Sequence, residues 1–196
     1  MALINPLVEG DIDEAIAIRL IQTAGHQCGV TYGRRGVGYI KAKLDAFNRS
    51  ANEIQYLTLV DFMDTGVACP PGVIAAWLPH SRPGMLLRIV VREIESWLLA
   101  DRAGLSDFLA VRPALLNLDP ETAQDPKQTL VNIARRSRRR SIRDAIVPSP
   151  ASTAPVGVRY NAELRAFAEN AWDPARARIH SPSLARCMDR LATVPA

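Results

Sequence analysis

The sequence predicts an α/β protein with a mostly parallel sheet flanked by helices, followed by a helical C-terminal extension. In the first half, short apolar runs alternate with segments of helical periodicity, which is the pattern of a parallel sheet with crossover helices. After about residue 112, only helical segments follow. We therefore expect an α/β domain at residues 1–112 and a helical extension at residues 113–196 packed on it.

The composition is that of a globular chain with a buried core. The 196 residues are 48% hydrophobic and 22% charged, which excludes a disordered, collagen-like or small disulfide-scaffold protein as the main class. No apolar run reaches the roughly 18 to 20 residues that cross a bilayer, and we expect no membrane partner. The N-terminus turns acidic at Glu9 and lacks the basic start of a signal peptide.

The cysteines and the charges point to a cytoplasmic protein with a polyanionic partner. The three cysteines form no CxxC pair and leave one odd, so we expect reduced thiols. Residues 1–98 carry 9 basic and 10 acidic side chains, a net charge of −1, whereas residues 99–196 carry 15 and 10, a net charge of +5. A positive second half suits nucleic acid.

The strands are predicted from short apolar runs that turn or polar residues end. They are Ala2–Val8, a short strand near Gln27–Tyr32, Ile54–Val60 and Met85–Val91. The first helix should follow at once, with Asp11 as its cap and Glu14 in capping-box spacing. Three further helices are expected: one from Tyr39 to Asn48, a short apolar one ending near Leu78, and one ending near Ala100.

The second half is predicted as helices alone. A helix is expected over Lys127–Arg140, followed by a linker rich in Pro, Ser and Ala at Val147–Pro155. Two more helices have apolar stripes, and Ser181-Pro182 is a typical start for the last one.

Acidic residues fall where the predicted strands end. Glu9 ends the first strand, Asp61 and Asp64 follow the second strong strand, and Glu93 and Glu95 follow the third. If these strands are parallel neighbours, their carboxylates meet at the edge where open α/β sheets bind ligands. Hard oxygen ligands without histidine favour Mg²⁺ or Mn²⁺ over zinc. The alternative is that acids follow strands simply because loops are polar.

Several motifs resemble the TOPRIM fold, a Rossmann-like fold of topoisomerases, primases, recombination proteins and the nucleases of overcoming-lysogenization-defect ATPases. The general motifs are VEGDIDE at residues 8–14 and LVDFMD at 59–64. VREIESWLLAD at 91–101, DPK at 125–127 and the loop at 33–38 resemble more closely a bacterial family of small standalone TOPRIM-like proteins. These are often encoded beside an ABC-type or AAA ATPase. The likeness runs from about residue 7 to residue 191.

The resemblance implies roles for individual residues. Glu9 matches the first-strand glutamate, a metal ligand or general acid/base, and Asp13 the second acid of the nuclease branch. Glu95, or Glu93, matches its third-strand acid, and Lys127 its late lysine.

The Asp-x-Asp motif of TOPRIM proteins is altered in this chain. Asp61 matches its first position, but Met63 stands at the second and Asp64 lies one place further. A thioether is a soft ligand that binds Mg²⁺ poorly. Either Asp64 substitutes through a local kink, or the protein binds one metal weakly or none.

Such a set of residues implies phosphodiester hydrolysis. Two metals about 4 Å apart would polarise the phosphoryl oxygen and activate a water, and a lysine would stabilise the developing charge. Strand passage also needs a nucleophilic tyrosine, and nothing in the sequence marks one.

The basic residues favour a phosphate partner. Arginines in two segments are the predicted nucleic-acid contacts: Arg34, Arg35, Arg135, Arg136, Arg138, Arg139 and Arg140. The second group cannot lie on one helical face, so several should be exposed and would make binding dependent on salt. The alternative is a solvated helix end whose arginines favour the C-terminal dipole. The loop at residues 33–38 lacks the Gly-Lys-Ser/Thr of a Walker A motif.

Two other residues invite a metal hypothesis. His26 and Cys28 would pair with Cys69 or His80 in a zinc site, but their spacing matches no structural zinc pattern.

Two functions follow from the sequence. The first is a Mg²⁺- or Mn²⁺-dependent nuclease acting on DNA or RNA, in bacterial defence against phage and controlled by a partner ATPase. The second is a TOPRIM-like binding or regulatory subunit of an ATPase complex, with its metal site spoiled at Met63.

Overall fold

The computed structural model describes residues 1–195, which divide into two compact units. The first unit comprises Met1–Val91 together with the chain from Ser183 onward, and the second comprises Arg92–Pro182. The sequence places a boundary near residue 112, and that boundary stays a prediction.

The first unit contains a sheet of five strands, and every pairing is parallel. Its strands are β1 (Leu3–Val8), β2 (Gln27–Cys28), β3 (Tyr32–Gly33), β4 (Gln55–Asp61) and β5 (Met85–Val90). The order is β2-β1-β4-β5, and β3 also pairs with β1. The prediction of an α/β fold with a parallel sheet and a helical C-terminal part is confirmed.

The central strands are buried along nearly their whole length. Leu7 and Val8 of β1 and Leu57, Leu59 and Val60 of β4 are 0% exposed. This is why both strands consist of apolar runs rather than alternating polar and apolar residues. The helices of this unit are α1 (Asp11–Thr23), α2 (Gly36–Ser50), α3 (Pro70–Trp77) and α10 (Pro182–Ala192, of which all but the first residue belongs here).

The edge strand beside β1 is interrupted, so the predicted strand at residues 27–32 forms as two short pieces. Pro6 lies in the middle of β1 and has no N–H to donate. Opposite this stretch, the Val30 N–H donates to the side-chain oxygen of Asn5 at 2.8 Å. This hydrogen bond to a side chain takes the place of a backbone hydrogen bond between the strands, and pairing with β1 resumes only at Tyr32.

The second unit is helical. Its helices are α4 (Ile94–Ala100), α5 (Arg102–Leu109), α6 (Pro126–Ala134), α7 (Arg140–Ile146), α8 (Tyr160–Asn170) and α9 (Pro174–Ala177). Its core includes Trp97 and Trp172, both 0% exposed, and the Trp172 indole N–H donates to the Trp97 carbonyl at 3.1 Å. Trp97 is therefore an anchor of α4 and is not available to stack on a base.

Three local predictions are wrong in detail. Gly10, not Asp11, is the N-cap of α1, and no side-chain capping bond forms there. Helix α2 begins at Gly36, inside the segment predicted as a loop. The predicted helix over Lys127–Arg140 is two helices, α6 and α7, because the chain turns at residues 135–139.

Candidate functional site

Glu9 and Asp61 lie together where two neighbouring strands of the first unit end. β1 and β4 are parallel and adjacent, so their carboxyl ends share one edge of the sheet. Glu9 directly follows β1, and Asp61 is the last residue of β4. The Asp61 backbone N–H donates to Glu9 Oε1 at 2.9 Å. This hydrogen bond holds the Glu9 carboxylate against the carboxyl end of β4.

Asp13 belongs to the same edge. It lies in the first turn of α1, which begins two residues after Glu9, and its side chain is buried. A Cβ on Gly10 would lie 3.3 Å from Asp13 Oδ2, so this carboxylate lies directly against the residue that follows Glu9. The N-terminus of a helix favours negative charge. Glu9, Asp13 and Asp61 are called the strand-edge cluster below.

Asp64 and Met63 lie outside this cluster. They belong to a short 3-10 turn, Phe62–Asp64, that directly follows β4, and both side chains are exposed. Among residues 1–195, no hydrogen bond or ion pair involves the Asp64 carboxylate. Asp64 is thus exposed on the turn, whereas Asp61 at the end of β4 is buried, with only 9% of its surface exposed.

The glycine-rich segment at residues 33–38 is held against the end of β1 by backbone hydrogen bonds. The Arg34 N–H donates to the Val8 carbonyl at 2.8 Å, and the Gly36 N–H donates to the Glu9 carbonyl at 3.0 Å. Gly33 has φ +97°, and a Cβ there would overlap the Val8 carbonyl oxygen, so only glycine fits. The backbone of this segment thus helps to place Glu9.

The two arginines of this segment have partners within the protein. Arg34 Nη1 lies 3.2 Å from Glu14 Oε2, and the guanidinium of Arg35 lies 5.7 Å from the centre of the Tyr39 ring. Both side chains are exposed, so these partners leave part of each guanidinium facing solvent.

In the second unit, Glu93 and Glu95 surround Lys127. Glu93 is the N-cap of α4, and Glu95 lies in its first turn. The Lys127 backbone N–H donates to Glu93 Oε1 at 2.8 Å, and Lys127 Nζ lies 3.2 Å from Glu93 Oε2 and 3.5 Å from Glu95 Oε1. The Tyr160 hydroxyl donates to Glu95 Oε1 at 2.9 Å. These four residues are called the lysine cluster.

Glu95 is the most buried acid of the lysine cluster, at 1% exposed. Burial raises the pKa of Glu95, and the neighbouring charge of Glu93 adds to the rise, whereas Lys127 and the Tyr160 hydroxyl oppose it. Its second oxygen, Oε2, is buried and accepts no hydrogen bond from any residue of 1–195. Burial also raises the pKa of Tyr160, so this hydroxyl keeps its proton and remains a donor.

Tyr160 was not among the site residues predicted from the sequence, because no motif there marks a tyrosine as a nucleophile. Tyr160 lies 65 residues from Glu95 in the chain, and only the packing of α8 reveals their hydrogen bond. The one available signal was its place at the start of an amphipathic helix, which predicts a buried residue but not its partner.

The arginines predicted in the second half are all exposed, as expected. Residues 135–139 connect α6 to α7 instead of continuing one helix. Arg140 begins α7, where its Nε lies 3.3 Å from Asp144 Oδ2.

The zinc hypothesis for His26 does not fit the structure. The Ala2 N–H donates to His26 Nδ1 at 3.2 Å, so the ring proton resides on Nε2, which donates to the Leu191 carbonyl at 3.1 Å. Both ring nitrogens are therefore engaged, and a histidine needs one free nitrogen to bind a metal.

No family model, no curated protein and no solved structure matches this chain. The structure itself defines the class, an α/β protein with a parallel sheet flanked by helices and a helical C-terminal part. Among the helices of residues 1–195, none combines the length and the apolar character needed to cross a membrane.

Proposed function

We propose that this protein is a Mg²⁺- or Mn²⁺-dependent nuclease of TOPRIM type that hydrolyses phosphodiester bonds in DNA or RNA. The observation that carries the proposal is the meeting of Glu9 and Asp61 at the carboxyl ends of two adjacent parallel strands. Ligand sites of open α/β sheets lie at such ends. The residues that resemble TOPRIM motifs support the same function.

The strand-edge cluster fits a hard divalent cation. Its donors are carboxylate oxygens alone, which suit Mg²⁺ or Mn²⁺ and not zinc. Glu9 and Asp61 would hold the metal, and Asp13 would support them. A bound metal supplies Lewis acidity and lowers the pKa of a water. A second metal would require Asp64, whose exposed position favours a single-metal site.

The chain's own residues have distinct roles in this proposal. Glu9 orients the water or accepts its proton, while the Asp61 N–H holds one oxygen of Glu9 in place. Lys127 stabilises negative charge on the phosphoryl group. Its backbone N–H and its ammonium are positioned by Glu93, and the buried Oε2 of Glu95 has the donor chemistry for a cation.

The test is metal binding by calorimetry on wild type, Glu9→Gln and Asp61→Asn. Asp11→Asn is the matched control, because Asp11 is an exposed acid in the same helical turn as Asp13. We expect Glu9→Gln and Asp61→Asn each to weaken Mn²⁺ binding at least about tenfold, and Asp11→Asn to leave it within twofold.

Cleavage of labelled single- and double-stranded DNA and RNA is measured next with the same variants. We expect Glu9→Gln to lower the rate about 10²-fold or more, the typical contribution of a positioned general base. Absence of Mn²⁺ binding at millimolar metal, even with nucleic acid present, would exclude the nuclease. Wild-type affinity in both strand-edge variants would exclude this location of the site.

A second candidate function is a binding or regulatory subunit of an ABC- or AAA-type ATPase complex. Met63 favours it, because it occupies the second position of the metal motif and lies exposed on a turn, 44% accessible to solvent. Under either function, the resemblance supports a cytoplasmic protein in anti-phage defence with an ATPase partner. Metal binding separates the two functions, since only the nuclease requires it.

A further inference from the structure

A cavity of about 500 Å³ in the second unit is lined mainly by arginines. Two of its five lining residues are apolar and three are cationic, and none carries a carboxylate. Its volume falls within the range of about 300 to 1,000 Å³ that is typical of small-molecule sites. We call it the arginine cavity, and its lining residues are Val111, Arg112, Leu115, Arg136 and Arg138.

The backbone that carries these arginines is fixed. The Arg138 N–H and Nε both donate to the Ala110 carbonyl, at 3.1 and 3.4 Å. The buried Ser137 hydroxyl accepts from the Arg139 N–H at 3.0 Å, and the guanidinium of Arg143 donates to the Ser137 carbonyl. The connection between α6 and α7 is thus an ordered turn that fixes the backbone positions of Arg136 and Arg138.

The arginines of the cavity differ from other surface arginines in their partners. Arg140, Arg159 and Arg165 each form an ion pair with a carboxylate four residues later. Within residues 1–195, the guanidiniums of Arg112 and Arg136 form no ion pair and no hydrogen bond, and Arg138 uses only its Nε.

Three permanent positive charges around one cavity repel each other, and an anion removes that repulsion. Guanidinium groups present their donors in a planar fork that matches phosphate oxygens. The cavity exceeds the size of a single phosphate, and Val111 and Leu115 offer apolar surface beside the cations. This combination suits a phosphate attached to a sugar.

We propose that the arginine cavity binds one phosphate group of a nucleic-acid strand, with Arg112, Arg136 and Arg138 as its ligands. The choice of nucleic acid rests on the proposed function, whereas phosphate recognition follows from the cavity itself. Arg112 is a new member of this site, and Arg140, which Asp144 neutralises, is outside it.

The experiment measures binding of a labelled 12-nucleotide single strand, as DNA and as RNA, by fluorescence anisotropy. EDTA is present so that no metal binds and no cleavage occurs. The variants are Arg112→Gln and Arg136→Gln, and Arg140→Gln is the matched control because it is an exposed arginine outside the cavity. Thermal unfolding of each variant confirms that it folds.

We expect Arg112→Gln and Arg136→Gln each to weaken binding about fivefold at 0.1 M salt and to lower the salt slope by about 0.7, the value for one single-strand phosphate contact. Arg140→Gln should stay within twofold of wild type. Equal losses in all three variants, or none in the cavity variants, would overturn the proposal.

Inorganic phosphate and pyrophosphate distinguish the source of the phosphate. If phosphate or pyrophosphate displaces the oligonucleotide from wild type but not from Arg112→Gln, the cavity is supported as the binding site. Pyrophosphate binding without binding of either oligonucleotide would overturn the choice of nucleic acid. Because EDTA removes any metal, an inactive metal site does not affect this test.

Discussion

The two acidic clusters of the molecule are held in place by different parts of the chain. In the strand-edge cluster, backbone groups do the positioning: the Asp61 N–H holds Glu9, and the Gly36 N–H holds the Glu9 carbonyl. In the lysine cluster, side chains position the acids for the most part, through the ammonium of Lys127 and the hydroxyl of Tyr160.

This difference determines what each cluster is sensitive to. A cluster positioned by backbone groups depends on the conformation of the backbone, so replacing a glycine that holds this conformation should damage it most. A cluster positioned by side chains depends on charge and burial, and it should respond to side-chain substitution and to pH. The four predictions below test that distinction.

The largest effect is expected from Gly33→Ala in the first unit. Its φ of +97° disfavours a side chain, and the new Cβ would overlap the Val8 carbonyl. We expect a loss of about 3 kcal/mol in the free energy of unfolding, measured by urea denaturation. Gly38→Ala is the control, because it lies inside α2 with open space around it, and it should stabilise by about 0.5 kcal/mol. Equal effects of the two changes would contradict the backbone argument.

Lys127→Met should have the next largest effect. It leaves Glu93 and the buried Glu95 without their cation, at a cost of about 2 kcal/mol. The side chain of Lys127 is 40% exposed, which reduces the loss below that of a fully buried pair. Lys43→Met, a change at an exposed lysine on α2, serves as the control in the same urea titration. A loss no greater than that of the control would mean that the cation contributes nothing to stability.

Tyr160→Phe should cost about 1 kcal/mol, because Glu95 loses a buried hydrogen-bond donor without a change in shape. The pKa of Glu95 should rise further, since this hydrogen bond favours its charged form. Thermal unfolding compared with Tyr39→Phe, a half-buried tyrosine of α2, measures the effect. A Tyr160→Phe protein as stable as the control would show that the bond is not formed in solution.

The smallest effect is expected from Glu95→Gln, which should change how the free energy of unfolding depends on pH. The folded pKa of Glu95 is raised above its unfolded value near 4.3, so folding retains a proton that the unfolded chain releases. Its contribution to stability is therefore present at low pH and is lost as pH rises through the folded pKa.

Unfolding by urea at pH 4, 6 and 8 measures this loss. The stability of Glu95→Gln relative to wild type should increase with pH over that range, whereas Glu53→Gln, at an exposed acid, should run parallel to wild type. A relative stability of Glu95→Gln that falls with rising pH would contradict the raised pKa.

The sequence predicted the sheet well because buried parallel strands leave a local signal. The apolar runs before Glu9 and Asp61 marked β1 and β4 almost to the residue. The start of α10 at Pro182 was also predicted, because Ser-Pro is a local signal. The cap at Asp11 was wrong, because the chain enters α1 from β1 with Gly10 already extended.

The sequence by itself determined the α/β class, the strand ends and the acids that occupy them, because periodicity and strand termination are local properties. Only the tertiary structure decided which of those residues meet. Tyr160 reaches Glu95 across 65 residues, and Arg112 lines a cavity with Arg136 and Arg138 because an ordered turn lies beside the end of α5. Contacts of that kind depend on how helices pack, and packing depends on the whole core rather than on any short segment.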